Sequence, residues 1–456
     1  METVDAIIIG SGQGGVPLAT DMASQGRKVV LFERGRFGGS CINYGCTPSK
    51  ALLAAAHSAG RARRMTPLGV SAQVSVDFGA VMSRVRGIRD RFEQSIERRL
   101  TDAGVRVVRK SAAFSGERTV TGGDVVVCAP IVIIDTGTSA HVPELPGLAG
   151  TPFLTNENIF DLSALPKRLL VMGAGYIGLE LGQGMARLGS EVHIIDPNPR
   201  VLAREDADAT DVLQHSLRRD GVTLHLGRDI KSIGYTAGFE ATLDDGERLD
   251  GDALLVAVGR TPNTAQLNVG ASGITLDARG YVAANERLET ACAGVYALGD
   301  VAGQPQFTHV SWEDFRRIKS ILAGGQRTRD DRILAYTTFT EPQVARVGLD
   351  AEQAKQKGIA ARSVTLGLDR VARAIEWNEE EGFYRLLVDD DDRILGATLV
   401  GYEAGELIHI ILAHMEAGAT WHALDASVHV HPTYAEGLPT LARLLAPPAM
   451  SMAPGQ

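Results

Sequence analysis

One pattern occurs twice in this chain and constrains its fold more than anything else. An apolar run, Ala6 to Ile9, ends in Gly10-Ser11-Gly12-Gln13-Gly14-Gly15. A helical pattern follows, then a second apolar run, Lys28 to Phe32, ending at Glu33. Further along, Arg168 to Met172 leads into Gly173-Ala174-Gly175-Tyr176-Ile177-Gly178-Leu179-Glu180, a helix, and a strand from Glu191 that closes on Asp196. Each copy reads strand, glycine-rich turn, helix, strand, acid, which is the dinucleotide-binding βαβ arrangement. The glycines allow the tight turn and close approach of a pyrophosphate. The helix N-terminus offers N–H groups and positive dipole to it, and the acid accepts from ribose hydroxyls. One such turn is a weak signal, because glycine-rich turns are common in α/β proteins. Two complete copies predict two dinucleotide sites.

Between them lies Gly38-Gly39-Ser40-Cys41-Ile42-Asn43-Tyr44-Gly45-Cys46-Thr47-Pro48-Ser49-Lys50. On a regular helix, cysteines five apart are separated by a rise of ~7.5 Å, beyond the reach of a disulfide. The backbone must deviate if they are bonded, and Gly38, Gly39 and Gly45 supply that freedom. A helix is expected to resume after Pro48, and its N-terminus favours a thiolate. The alternatives are two core cysteines or half of a zinc site. Zinc needs about four ligands, and no second cysteine pair or close histidine pair completes one nearby. A redox-active disulfide is the reading these residues favour. Its proton partner is expected in His429-Val430-His431-Pro432-Thr433-Tyr434-Ala435-Glu436, as a histidine oriented by a carboxylate.

The bulk numbers limit the rest. A chain of 456 residues is too long for one core. A formal net charge of −9 leaves no basic footprint for nucleic acid. Only four cysteines, Cys41, Cys46, Cys128 and Cys292, argue against a secreted disulfide framework. No signal peptide and no membrane-length apolar run is read, so the expected address is cytoplasmic. Phe78 to Asp102 reads as a long polar helix, and Pro143 to Pro146 as a crossover linker. The second unit is expected to run to the segment Leu254 to Asn263, and Gly294 to Asp300 reads as a buried strand ending in Gly-Asp. Strands at Tyr384 to Val388 and Ile394 to Val400 and a helix from Glu406 follow, with Asp389 to Asp392 as a hairpin turn rather than a metal site. The tail from Ala446 to Gln456 is rich in Pro, Ala and Met and reads as loose.

Together these residues resemble the class I pyridine nucleotide-disulfide oxidoreductases, the family of dihydrolipoamide dehydrogenase, glutathione reductase and mercuric reductase. The likeness rests on the Gly-Gly-Ser-Cys-x4-Cys segment, both loops, the Gly259-Arg260-Thr261-Pro262-Asn263 turn, Gly299-Asp300 and the His-Pro-Thr-x-x-Glu ending. It implies an α/β fold with two Rossmann-like domains plus a C-terminal α+β dimerisation domain. The implied bounds are 1–145 for FAD, 146–267 for NAD, 268–334 returning to the FAD and central part, and 335–456 for the interface. Gly10, Gly12, Gly14, Gly15, Glu33, Gly39, Ser40, Lys50, Thr136, Gly137, Asp300, Thr308 and His309 would hold FAD. Gly173, Gly175, Tyr176, Gly178, Glu180, Asp196 and Gly259 would serve NAD, with Tyr176 as the gate over the ring and Lys50 ion-paired to Glu180.

By the same resemblance, electrons pass from NADH through FAD to Cys46. Cys41 faces substrate, and His431, oriented by Glu436 and supplied by the second chain of a homodimer, moves its proton. Asp196 favours NAD(H) over NADP(H), with Arg200 nearby pulling the other way. The segment from Gln306 to Trp312 and Glu436-Gly437-Leu438 look like the mercuric-reductase-like branch. Yet Pro447-Pro448-Ala449-Met450-Ser451-Met452 lacks that branch's cysteine pair, and His431 is present where mercuric reductases lack it. Tyr44 narrows the cysteine segment, and Lys110 replaces a usual glycine beside the adenine. Three functions are open: a reductase or dehydrogenase of a small disulfide or dithiol, a mercuric or copper(II) reductase, and a flavin-bound redox sensor with little turnover. No metal site, nucleic acid or membrane partner is expected.

Overall fold

The computed structural model describes residues 1–447, and the chain divides into two compact units. The expected loose tail beyond Pro447 lies outside the described residues.

The first unit takes residues 1–55, 77–173 and 230–332. Its centre is a five-stranded parallel sheet in the order Val295–Ala297, Ile131–Ile134, Ala6–Ile9, Val29–Phe32, Arg106–Val108. Three of these strands read AIII, VVLF and IVII, apolar throughout, because both faces of a parallel sheet are covered. Helices Gly15–Ser24, Phe78–Asp102 and Thr308–Leu322 contribute Leu18, Ile96 and Ile318 to the core on one side. The long helix has the expected bounds and is capped by Asp77, whose side chain accepts the Ala80 N–H. A small sheet of Glu2–Thr3, Val125–Cys128, Thr119–Gly122 and Ala113–Gly116 packs Phe114 and Val127 into the other side. Arg168–Met172 pairs in parallel with Ala253–Val256 in this unit.

The second unit takes residues 56–76, 174–229 and, of the described residues, 333–447. Glu191–Asp196 pairs in parallel with Val222–Leu226, beside helices Tyr176–Leu188 and Ala207–Arg219. A five-stranded antiparallel sheet runs in the order Ala335–Thr338, Gln343–Gly348, Ile394–Gly401, Phe383–Asp389, Ala361–Gly367. Tyr384, Leu386 and Leu399 from this sheet pack with Ile408 and Ile411 of helix Ala404–Glu416 and Leu438 and Leu441 of helix Gly437–Arg443. Asp389 to Asp392 forms the hairpin turn, with Asp389 Oδ1 accepting the N–H groups of Asp391 and Arg393.

A buried polar cluster fixes helix Tyr176–Leu188. Arg187, 1% exposed, lies between Asp220 at 2.7 Å and Glu341. Gln183 donates to Glu341 O and accepts the Glu341 N–H, both at 2.8 Å. Burial and the adjoining Arg187 push the imidazole of His57 down to about 4.

Several boundaries differ from expectation, some by a single residue at a strand end. The helix after the cysteines begins at Cys46, not after Pro48, since a first-turn proline needs no N–H partner. The C-terminal helix begins at Ala404, two residues before Glu406, behind Glu403 at φ +54°. The run from Gly294 to Asp300 is strand only over Val295–Ala297. It then tightens into a 3₁₀ turn from Gly299 that presents Asp300. Lys110 has no positive φ, so its replacement of glycine leaves the backbone ordinary.

Candidate active site

The first glycine loop joins strand Ala6–Ile9 to helix Gly15–Ser24. Gly10 sits at φ +103°, where a Cβ would strike Asp135 O at 2.2 Å, so only glycine makes this turn. Glu33, at the end of the neighbouring strand, closes the loop by accepting from Ser11 N at 2.9 Å and Ser11 Oγ at 2.6 Å. The second loop repeats the device. Gly173 has φ +107°, and Asp196 Oδ2 accepts the Ala174 N–H at 2.7 Å, while its Oδ1 accepts from Asn198 N and Nδ2 at 2.8 Å. In both copies the terminal acid holds the loop residue after the first glycine. The acid therefore shapes the cradle.

The cysteine segment breaks its helix as the spacing required. Cys41 lies in the short helix Gly39–Asn43, the chain turns at Tyr44 and Gly45, and Cys46 starts the helix Cys46–Arg63. Gly38 and Gly39 have φ of +97° and +63°. A Cβ on Gly45 would meet Ser40 O at 3.0 Å, so glycine lets the two turns close on each other. Both cysteines are thiols here and not bridged. Their side chains hydrogen-bond, and that bond, with burial and the charge of Cys46, pushes the Cys41 thiol far up. The two thiols therefore titrate as a coupled pair in which Cys41 resists ionisation. Cys46 Sγ also lies 3.2 Å from Thr308 Oγ1, the first residue of helix Thr308–Leu322. His309 follows, stacked on Phe307.

Asp300 Oδ2 accepts from Thr138 Oγ1 at 2.7 Å, and burial raises its carboxyl. Arg260 ties this end together. It donates to Thr138 Oγ1 at 2.6 Å, Thr138 O at 2.7 Å and Ser40 Oγ at 3.2 Å, and it lies 3.7 Å from Asp300. Gly259, before it, has φ +135°. Thr136 Oγ1 is buried with no partner among the described residues, beside Gly137 at φ +61°. A buried orphan hydroxyl at the end of a nucleotide-fold strand fits a ligand that supplies its partner. With the glycine cradle it makes the first loop a fitting seat for FAD.

In the second unit, Tyr176 is the first residue of its helix and is exposed, and a Cβ on the preceding Gly175 would meet nothing within 4 Å. Gly178 lies one turn on. Glu180 is buried, its Oε1 accepting the Phe339 N–H at 2.9 Å. His431 Nδ1 is 2.7 Å from Glu436 Oε2, with the imidazole 73% exposed. That pairing fixes Nδ1 and leaves Nε2 directed elsewhere. Lys50 belongs to the first unit, one turn beyond Cys46.

Sequence reasoning missed three groups here. In the sequence Arg260 stands out only as part of a turn. Asn43, fully buried, donates to Phe37 O at 2.8 Å and Gly39 O at 3.0 Å and so positions the helix that carries Cys41. Asp135, noted only as a strand end, places its carboxyl inside the first loop. An asparagine between the two cysteines and an acid directly before Thr136-Gly137 were the available signals.

Residues 4–314 match the family described as pyridine nucleotide-disulphide oxidoreductase, and residues 334–442 match its dimerisation domain. The chain is 34% identical to a dihydrolipoyl dehydrogenase of Thermus scotoductus, over 98% of each chain. It is 33% identical to a mercuric reductase of Staphylococcus aureus, covering 95% of this chain and 81% of that one. It superposes with a TM-score of 0.90, at 31% identity, on a solved copper(II) complex of the HOCl-induced flavoprotein disulfide reductase RclA from Escherichia coli. That match covers 98% of this chain and all of the other. No helix of the described residues is long and apolar enough to cross a membrane.

Proposed function

The chain belongs to the pyridine nucleotide-disulphide oxidoreductases, enzymes that use FAD and NAD(P), and from that premise we propose that it is an NADH-linked oxidoreductase of a small disulfide or dithiol, similar to dihydrolipoamide dehydrogenase. FAD, when bound, relays an electron pair between the nicotinamide and the cysteine pair. Gly10, Gly12, Gly14, Gly15, Glu33, Gly39, Ser40, Lys50, Thr136, Gly137, Asp300, Thr308 and His309 hold it in this reading. Gly173, Gly175, Tyr176, Gly178, Glu180, Asp196 and Gly259 hold NAD(H), and Lys50 pairs with Glu180.

The chain's own residues divide the proton work. Cys46 begins a helix and meets the Thr308 hydroxyl, so it keeps the negative charge of the reduced pair. Cys41 is the sulfur that meets substrate, and the adjoining Cys46 and burial oppose its ionisation. It therefore needs a base. The His431–Glu436 pair at 2.7 Å is the observation that carries this reading. Glu436 holds Nδ1 and stabilises the imidazolium, and Nε2 takes the proton of Cys41. His431 reaches Cys41 from the second subunit of a homodimer in this proposal. The dimerisation domain at residues 334–442 supports that route.

A second reading, metal-ion reduction, draws on the mercuric reductases among the relatives and on the copper(II) complex of RclA. The test is NADH consumption over lipoamide, glutathione disulfide, other small disulfides, Hg(II) and Cu(II), run with wild type and His431→Gln. Turnover of a disulfide that depends on His431 supports the first reading. Turnover of metal ions alone, insensitive to His431, replaces it with the second.

A further inference from the structure

The two glycine loops are built alike except in one place. A Cβ on Gly10 would strike Asp135 O at 2.2 Å, and one on Gly173 would strike Ala257 O at 2.5 Å. Asp135 donates its N–H to Ile9 O, and Ala257 donates to Met172 O, each at 2.8 Å. Asp135 and Ala257 are therefore equivalent positions. The first loop carries a carboxyl where the second carries a methyl.

That carboxyl lies within the loop itself. Its Oδ2 accepts the N–H of Gly15 at 2.6 Å, at the first residue of helix Gly15–Ser24. A Cβ on Gly12 would fall 2.6 Å from the same oxygen, and one on Gly15 2.8 Å from it. These are the donors and the space that a helix N-terminus gives to phosphate. Asp135 is buried, and burial drives its carboxyl well above the ordinary range. The carboxylates of Asp300 and Glu33 push the same way, and the N–H groups of Gly15 and Gly14 oppose. Asp300 is itself drawn to Arg260, and Glu33 to Ser11. Asp314, on helix Thr308–Leu322, is spent on Gly299 N and Arg332.

We propose that Asp135 couples binding of a pyrophosphate dinucleotide at the first loop to a proton: the nucleotide is held tightly while this carboxyl is neutral and is released more readily as it ionises. The proposal rests on the reading that the first loop holds FAD. A carboxylate among the same N–H groups opposes the charges of a diphosphate, whereas a neutral carboxyl can donate to a phosphate oxygen. The bound diphosphate therefore raises the proton affinity of Asp135 above that of the empty loop. Affinity is then level at low pH. It falls by up to about tenfold per pH unit once pH passes the point where Asp135 ionises in the empty loop. The second loop, with Ala257, has no such group.

The test follows release of FAD from the purified holoprotein at equilibrium, by the rise in flavin fluorescence, from about pH 6 to about pH 9. Wild type should lose at least roughly tenfold in affinity across that range. Asp135→Asn keeps the shape and removes the charge, and Asp135→Ala copies the second loop. Both should flatten the profile and bind FAD more tightly than wild type at the alkaline end. NADH binding should keep one profile in all three proteins. A level wild-type profile, or variants as steep as wild type, overturns the proposal. Failure of the wild-type protein to hold FAD at any pH sinks the functional reading instead.

Discussion

Thr308→Ala removes one hydroxyl and one methyl from the site. In the structure that oxygen lies 3.2 Å from Cys46 Sγ, and it also draws down the Cys41 thiol. Once Cys46 has lost its proton the hydroxyl can only donate to it. A hydrogen bond to a charged group contributes about 1.5–3 kcal/mol, which corresponds to a shift of about 1–2 pH units in the first ionisation of the pair. Thr308 is the first residue of its helix, where alanine is tolerated, so the fold should persist. The assay is the rate of alkylation of the dithiol enzyme by iodoacetamide against pH, with mass spectrometry to locate the modified cysteine. The midpoint should move up by about 1–2 units in Thr308→Ala and stay near wild type in Thr308→Ser, which keeps the hydroxyl. A midpoint unmoved by alanine, or moved as far by serine, would refute the assignment of this hydroxyl to the thiolate.

Three further outcomes are expected. His431→Gln should lower disulfide turnover by about 10²–10⁴ while NADH still reduces an artificial acceptor such as ferricyanide at the wild-type rate; equal loss in both assays would remove His431 from the proton step. NADH should exceed NADPH in kcat/KM, because Asp196 repels a 2′-phosphate; the reverse order would give the decision to Arg200. His57 is held at about 4 when folded against 6.5 otherwise, so the unfolded chain binds its proton first as pH falls. Stability from this group is complete above pH 6.5 and declines by about 3 kcal/mol on the way to about pH 4. His57→Gln should flatten that part of a Tm-against-pH curve, and an unchanged slope would refute the account.

What could be read in the sequence was local. Both glycine loops, the helix Phe78–Asp102 and the strand Arg168–Met172 were legible because glycine spacing and apolar runs are written in consecutive residues. The cysteine segment was legible for the same reason: its glycines predicted the broken helix. What escaped detection depends on distant partners. Asp135 meets Gly15 across 120 positions, and Arg260 meets Ser40 across 220. No periodicity records such contacts. The start of the helix at Cys46 was misplaced because a first-turn proline marks a helix beginning only to within a turn.

The difference between the two sulfurs follows from helix ends rather than from the cysteines themselves. Cys46 opens a helix of 18 residues, and Thr308, whose hydroxyl touches it, opens another of 15. Two N-termini therefore converge on one sulfur, and each favours negative charge there. Cys41 sits inside a helix of only 5 residues and gains little from it. Burial and the neighbouring, hydrogen-bonded Cys46 make a charge on Cys41 costly. A sulfur held as a thiol cannot attack or leave until something removes its proton. In the proposed function that transfer falls to the exposed imidazole of His431, whose Nδ1 lies 2.7 Å from Glu436 Oε2. Breaking the helix between Cys41 and Cys46 thus both brings the sulfurs together and creates the requirement for a base.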